Sequence, residues 1–258
     1  MVAKKVEKET EITVMEVQKG VIDFCVVGST PIILNRVSEK AARELLLPRG
    51  RKKTEADRAA SLKHDPIEEY RAAPYKSNDP KAPTLLLVPS TAFKGAMRSA
   101  ALDMPGASKA QIGRLAYVPG QYVSLYGIPK LFMAITRNSD PNHTPDVRTR
   151  AIVHEWACRV TMEFIKPMLR EQTVSNLFAA AGLMRGVGDF RPEKGAGDYG
   201  QFRLVSRDDA DFLRIIKTGG RAAQQKAMDE PQAYDEESAE LLSWFETETK
   251  RRGFKVAA

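Results

Sequence analysis

Apolar residues along this chain fall into short dense runs separated by charged or proline-rich stretches, the pattern of a protein that mixes strands with amphipathic helices. Residues 11–17 (EITVMEV) and 21–28 (VIDFCVVG) read as two strands joined by a turn at Gln18-Lys19-Gly20, the second central by its apolar density. Ser38 precedes a run of good helix formers with Ala41, Ala42, Leu45 and Leu46 on one side, and Pro48 closes it. Residues 84–88 (TLLLV) have the density of a buried strand. Pro89 ends it, Ser90 or Thr91 caps the helix that follows, and Phe93, Ala96, Met97 and Ala100 give that helix one apolar face.

Two further strands, 121–127 and 130–137, flank Gly127-Ile128-Pro129, and residues 138–146 (NSDPNHTPD) have the composition of a loop tip. From 150 to 165 apolar and polar residues alternate without interruption, which predicts one long half-exposed strand carrying Ile152, His154, Trp156, Cys158, Val160, Met162 and Phe164 on one face. A helix over 173–181 follows, with Thr173 as its cap, Val174, Leu177, Phe178 and Ala181 inward and Gly182 as its stop, then a glycine-rich return into a last strand at 201–205. The tail is helical in composition, with Leu241, Leu242, Trp244 and Phe245 as packing residues.

This order predicts an α+β protein with a ferredoxin-like, RRM-like βαββαβ core. The core spans 1–207 with insertions at 49–83 and 138–146, and 208–258 is a helical extension packed on it. One sheet face takes the helices and the other stays open, a surface suited to RNA or single-stranded DNA.

The net charge of +7 points to an acidic partner. Its distribution is uneven: residues 81–207 hold 17 Lys and Arg against 9 Asp and Glu, whereas the tail is acidic. No apolar run approaches the ~20 residues that span a bilayer, which predicts a soluble, cytoplasmic protein. Cys25 and Cys158 lie in apolar runs without CxxC spacing and read as reduced core residues.

Three places concentrate chemistry. In PSTAFKGAMRSAA, residues 89–101, Lys94 and Arg98 stand four apart near a helix start, where the first-turn N–H groups and two cations favour a polyanion; Ser90 and Thr91 belong to the same site. The same residues also describe an amphipathic helix with a solvated Lys and Arg. In 182–202 (GLMRGVGDFRPEKGAGDYGQF), Gly186, Gly188, Gly195 and Gly197 allow close backbone approach to phosphate, Arg185, Arg191 and Lys194 supply charge, and Phe190 and Tyr199 offer rings for stacking. A glycine-rich turn that lets the last strand enter its sheet is the alternative for that stretch. Arg49, Arg51, Lys52 and Lys53 form a basic run in the exposed insertion 49–66.

The blocks VVGSTPIIL, VPSTAFKGAMRSAA and GVGDFRPEKGAGDYGQF together resemble the RAMP superfamily, whose members include the Cas-seven-like backbone subunits of CRISPR effector complexes. They also look like uncharacterised proteins encoded by tailed phages. The resemblance implies an RRM-like core that polymerises head to tail along single-stranded RNA or DNA, alone or with other subunits of a nucleoprotein complex, gripping the backbone without reading sequence. Ser90-Thr91-Ala92-Phe93 stands where the family usually shows Gly-Ser-Ser-Leu. The Asp that follows the first core strand in RNA-cleaving members has no counterpart in STPIILNRVSEKAARE.

Other functions remain open at this point: a phage single-strand annealing or recombination protein, a metal-dependent nuclease built on Asp189, Glu193 and Asp198, or a structural protein that binds no nucleic acid. His64, His143 and His154 lack HxH or HxxxH spacing, and His154 reads as a core histidine. No catalytic residue, metal or cofactor is expected. Head-to-tail contacts are expected from 49–66 and 138–146.

Overall fold

The computed structural model describes residues 14–37, 46, 62–137, 144–194 and 197–254. In chain order the first elements are β1 (Gln18–Gly28), β2 (Ile32–Leu34), α1 (Pro66–Ala72), β3 (Tyr75–Lys76), β4 (Leu86–Pro89), α2 (Ser90–Ala100), α3 (Lys109–Leu115) and β5 (Ala116–Tyr117). Then come β6 (Tyr122–Tyr126), β7 (Pro129–Arg137), β8 (Pro145–Val153), β9 (Ala157–Lys166), α4 (Glu171–Met184) and β10 (Phe202–Val205). Three helices end the chain: α5 (Ala210–Thr218), α6 (Arg221–Asp229) and α7 (Glu236–Arg252). Apart from Leu46, which is helical and exposed, the helix expected after Ser38 lies outside the described residues, as does the Arg49, Arg51, Lys52 and Lys53 run.

The protein is thus mixed α and β, with antiparallel pairing throughout its described strands. The main sheet runs β10-β1-β9-β6-β4-β3, with β5 also on β9; a second sheet runs β2-β8-β7. Helices α2 and α4 cover one face of the main sheet. Phe93, Ala96, Met97 and Ala100 of α2 and Val174, Leu177, Phe178 and Ala181 of α4 are all buried, as their spacing predicts. Phe178 sits at the centre of this layer, 5.0 Å from Phe24 and 5.2 Å from Phe202 between ring centroids.

Four parts of the expected core need correction. Gln18, Lys19 and Gly20 do not form a turn: they lie inside β1, paired with Lys166, Ile165 and Phe164. A Cβ at Gly20 would strike the Phe164 ring, so the glycine serves a close cross-strand approach. The run 150–165 is not one strand, because His154 and Glu155 interrupt it and send β8 and β9 into different sheets. Apolar alternation continues across the break because Trp156 is buried there, its Nε1 donating to the Thr30 carbonyl at 2.8 Å. His154 is exposed and bonded to the Tyr234 hydroxyl, not buried in the core.

The third correction concerns the sheet face expected to be open. Phe212 and Ile215 of α5 pack there on Cys25, Val27 and Ala157, so the extension at 208–258 closes one end of it. The rest of that face carries Asp23 and Glu163, each in an ion pair, with Arg207 and Lys19. Fourth, neither Thr173 nor Gly182 bounds α4. The helix begins at Glu171 and runs on to Met184, and Gly182 is buried where a side chain would collide with Phe202. In the tail, Leu241 and Leu242 pack against the core, while Trp244 is exposed.

Candidate functional site

Helix α2 begins where β4 ends, so its N-terminal turn is set against the seam between the two sheets. The start is anchored by Ser90, whose N–H donates to the Gln121 carbonyl at 3.0 Å and whose hydroxyl donates to the Gly120 carbonyl at 2.5 Å. No side chain caps α2, which corrects the capping role expected of Ser90 or Thr91. Thr91 instead opens onto a cleft of about 500 Å³.

One wall of this cleft is α2, through Thr91, Gly95 and Arg98. The facing wall is the glycine-rich stretch, through Gly188, Asp189, Arg191 and Glu193. Asn35 and the β2 residues Ile33 and Leu34 also line it, and Lys109 stands at the start of α3. The two blocks expected to share one track are therefore neighbours. The glycine-rich wall is held by main-chain bonds: Asp189 N–H donates to Ile33 carbonyl at 2.9 Å, Gly200 N–H to Pro31 carbonyl at 2.7 Å and Val187 N–H to Gly200 carbonyl at 2.9 Å.

Those bonds explain the glycines. Gly186 and Gly188 adopt φ of 65° and 90°, and a Cβ would press on the Gly200 and Ile33 carbonyls at 2.9 and 2.7 Å. Gly197 meets the Phe190 carbonyl in the same way. The close approach they permit is to the protein's own backbone, as the glycine-rich-turn alternative has it. Gly195 lies outside the described residues, as does the Lys194 side chain.

The cations divide. Arg98 is exposed on the cleft and packs against Gly113 of α3, whereas Lys94 points elsewhere, its Nζ 4.7 Å from the centroid of the Tyr117 ring. Arg185 is bonded to Asp103, away from the cleft. Arg191 lines the cleft but is engaged within its own loop, donating to Glu193 Oε2 at 2.6 and 2.9 Å and to the Gly188 carbonyl at 2.8 Å. Phe190 (φ 52°) is exposed, and its ring stands 6.2 Å from that of Tyr199.

A second concavity was not foreseen in the sequence. Asn35, Ala73 and Tyr75 line both the cleft and a larger groove of about 1240 Å³, so the two adjoin. Arg36, Lys63, Arg71, Lys76, Arg148 and Arg150 line the groove, against Glu68 and Glu69. Asp146 lies beneath, 2.7 Å from Lys63 and 3.3 Å from Arg148, and Glu68 is 4.0 Å from Arg71. Burial, and then Arg71 beside it, lower the pKa of the Lys76 ammonium; burial does the same to the Arg150 guanidinium, against the pull of Asp189.

His64 ties the rim together. Its Nδ1 lies 2.7 Å from Glu69 Oε1 and its Nε2 2.9 Å from Asp146 Oδ1. The ends of the two excursions, 49–66 and 138–146, therefore meet at Asp146, while most of both, including His143, lies outside the described residues.

Asp189, Glu193 and Asp198 do not converge. Asp189 accepts from Asn35 Nδ2 at 2.7 Å and from the Phe190 N–H at 3.0 Å, Glu193 is held by Arg191, and Asp198 is exposed. Among the described residues no three His, Cys, Asp or Glu side chains are grouped as metal ligands, and no helix is long and apolar enough to cross a membrane. Neither the protein-family models nor the curated proteins compared with this sequence match it.

Proposed function

We propose that this protein binds single-stranded nucleic acid along its sugar-phosphate backbone, without reading sequence, as a RAMP-type subunit that lines up head to tail on the strand. The observation that carries this reading is the meeting of the α2 start and the glycine-rich stretch in one cleft that adjoins a cation-lined groove. A backbone-gripping protein needs such a track, since phosphate contacts supply most of its affinity.

The strand order supports the finer fold. Taken as β1, α2, β6, β9, α4 and β10, the elements follow a βαββαβ sequence, and the sheet order β10-β1-β9-β6 is that of a ferredoxin-like core. The remaining elements are then insertions and a helical extension.

Binding is to be measured by fluorescence anisotropy with labelled single strands of unrelated sequence over a salt series. Arg98→Glu with Lys109→Glu, both on exposed positions, should weaken every sequence alike and reduce the log-log salt slope by about 2. A folded double variant with unchanged affinity would overturn the reading. Loss confined to one sequence would replace it with base readout.

A further inference from the structure

The mouth where cleft and groove join is built of flat groups. Tyr75 lies on β3 and Tyr122 on β6, the strands that flank β4 on either side, which places their rings 5.3 Å apart between centroids at an angle of 42°. The Arg36 guanidinium stands over the Tyr75 ring at 5.6 Å. Both tyrosines are half-buried, with their remaining surface toward the groove. Two tyrosines fixed by main-chain pairing near a sheet edge, beside a cluster of cations, have the two parts of a single-strand site: rings for bases and charge for phosphates.

The charge balance points the same way. The groove has six arginine or lysine side chains against Glu68, Glu69 and the underlying Asp146, whereas the cleft has Arg98, Lys109 and Arg191 against Asp189 and Glu193. Among the described residues Lys76 is in ion-pair contact with no carboxylate. It is half-buried beside Tyr75, where burial and Arg71 disfavour its charge more than Asp229 and Glu68 favour it, so an incoming anion adds to the two carboxylates.

We propose that the groove is a second nucleotide subsite, in which bases of the bound strand stack on Tyr75 and Tyr122 while Lys76 and Arg150 meet the adjoining phosphates. This rests on the single-strand reading above and extends it: the strand runs from the α2 start, past Asn35, and across the tyrosine pair. Stacking accepts any base, so the subsite adds affinity without adding sequence preference.

The test separates the two subsites. Ultraviolet crosslinking of the wild-type protein to a single-stranded oligothymidylate, with peptide mapping, should place adducts on Tyr75 or Tyr122. Tyr75→Leu and Tyr122→Leu keep apolar bulk and should each weaken binding about tenfold, and affinity should stop rising at a shorter oligonucleotide length than in the wild type. Lys76→Gln serves as a second variant that leaves both rings in place, and should lower the salt slope by about 1.

If Arg98→Glu with Lys109→Glu loses affinity while the tyrosine and Lys76 variants keep it and no adduct maps to either tyrosine, the subsite is overturned and the cleft reading stands. Loss in the groove variants alone supports the subsite and removes the cleft from the track. No binding of any single strand by the wild-type chain overturns both. Polyglutamate that binds as tightly as an oligonucleotide of equal charge would make the groove a general polyanion surface and also overturn the stacking role.

Discussion

Gly95 offers the cleanest perturbation of the cleft. It lies in the middle of α2, lines the cleft, and a Cβ built on it meets no atom within 4 Å. Nothing in the packing therefore requires glycine there. Alanine should stabilise the helix by about 1 kcal/mol through backbone entropy, a rise in Tm of about 2–4 °C for a chain of this size. Glutamate should gain roughly half of that, but it also places a carboxylate in the proposed nucleic-acid track. At about 6 Å from a phosphate, with an effective dielectric near 20, the repulsion is about 3 kcal/mol, and solvent in an open cleft reduces it to about 1–2 kcal/mol. The expected result is a G95E protein that melts no lower than wild type and binds single strands about tenfold more weakly, with G95A binding normally. Thermal melts by circular dichroism and anisotropy titrations check both. A lower Tm for G95A would refute the open-space argument, and wild-type affinity in folded G95E would refute the cleft as part of the track.

Two further predictions concern the frame that holds the site. Gln224 of α6 is fully buried, accepting from the Leu85 and Leu86 N–H groups at 2.8 and 3.0 Å and donating to the Leu125, Gly127 and Gly219 carbonyls at 2.7, 3.0 and 3.0 Å. Gln224→Leu takes a partner from all five groups, of which the Gly219 carbonyl keeps its bond from the Gly127 N–H, and should cost about 4 kcal/mol in urea unfolding; a loss under about 1 kcal/mol would show that the strands satisfy one another without it. The Asp146 carboxyl, whose side chain is 9% exposed, is held down to about 2 chiefly by its bond from Lys63, with His64 adding to it, against an ordinary value of 3.8. A depressed carboxylate stabilises above its unfolded pKa, so about 2 kcal/mol should be present above pH 4 and disappear as pH falls toward 2. Asp146→Asn should lose that acid limb, and identical pH profiles of unfolding for the two proteins would contradict the assignment.

The helices of the core were legible because each buries one stripe at helical spacing. Every apolar residue assigned to the inner faces of α2 and α4 is buried. The break at His154 was not legible: alternation reports that successive residues change sides, but carries no mark of which sheet they face, and Trp156 supplies an apolar residue at the right parity. Polar capping residues misled at Ser90 for a similar reason. A hydroxyl before a helix satisfies the local pattern, yet the Gly120 carbonyl, thirty residues on, takes its hydrogen. The candidate site was half legible. The α2 block and the glycine-rich stretch each have a local signature, and they meet. The groove has none, since Asn35, Tyr75, Tyr122 and Arg150 come from separate parts of the chain and are gathered only by strand pairing and the sheet seam.

The chain crosses that seam by short links three times, from β1 to β2, from β6 to β7 and from β8 to β9, besides the return from β2 to β3 by way of α1. The crossings are locked to one another: the Gly28 N–H donates to the Trp156 carbonyl at 2.8 Å, the Trp156 indole binds Thr30, and Gly127, at φ 133°, leaves no room for a side chain between Val153 and Glu155. A single linker would let the two sheets swing. Three cross-braced ones fix the angle between them, and with it the separation of the cleft walls, since α2 rides on one sheet and the Asp189 wall is bonded to the other. The cleft is in this sense a preset gauge, its width set by the two sheets before any occupant arrives.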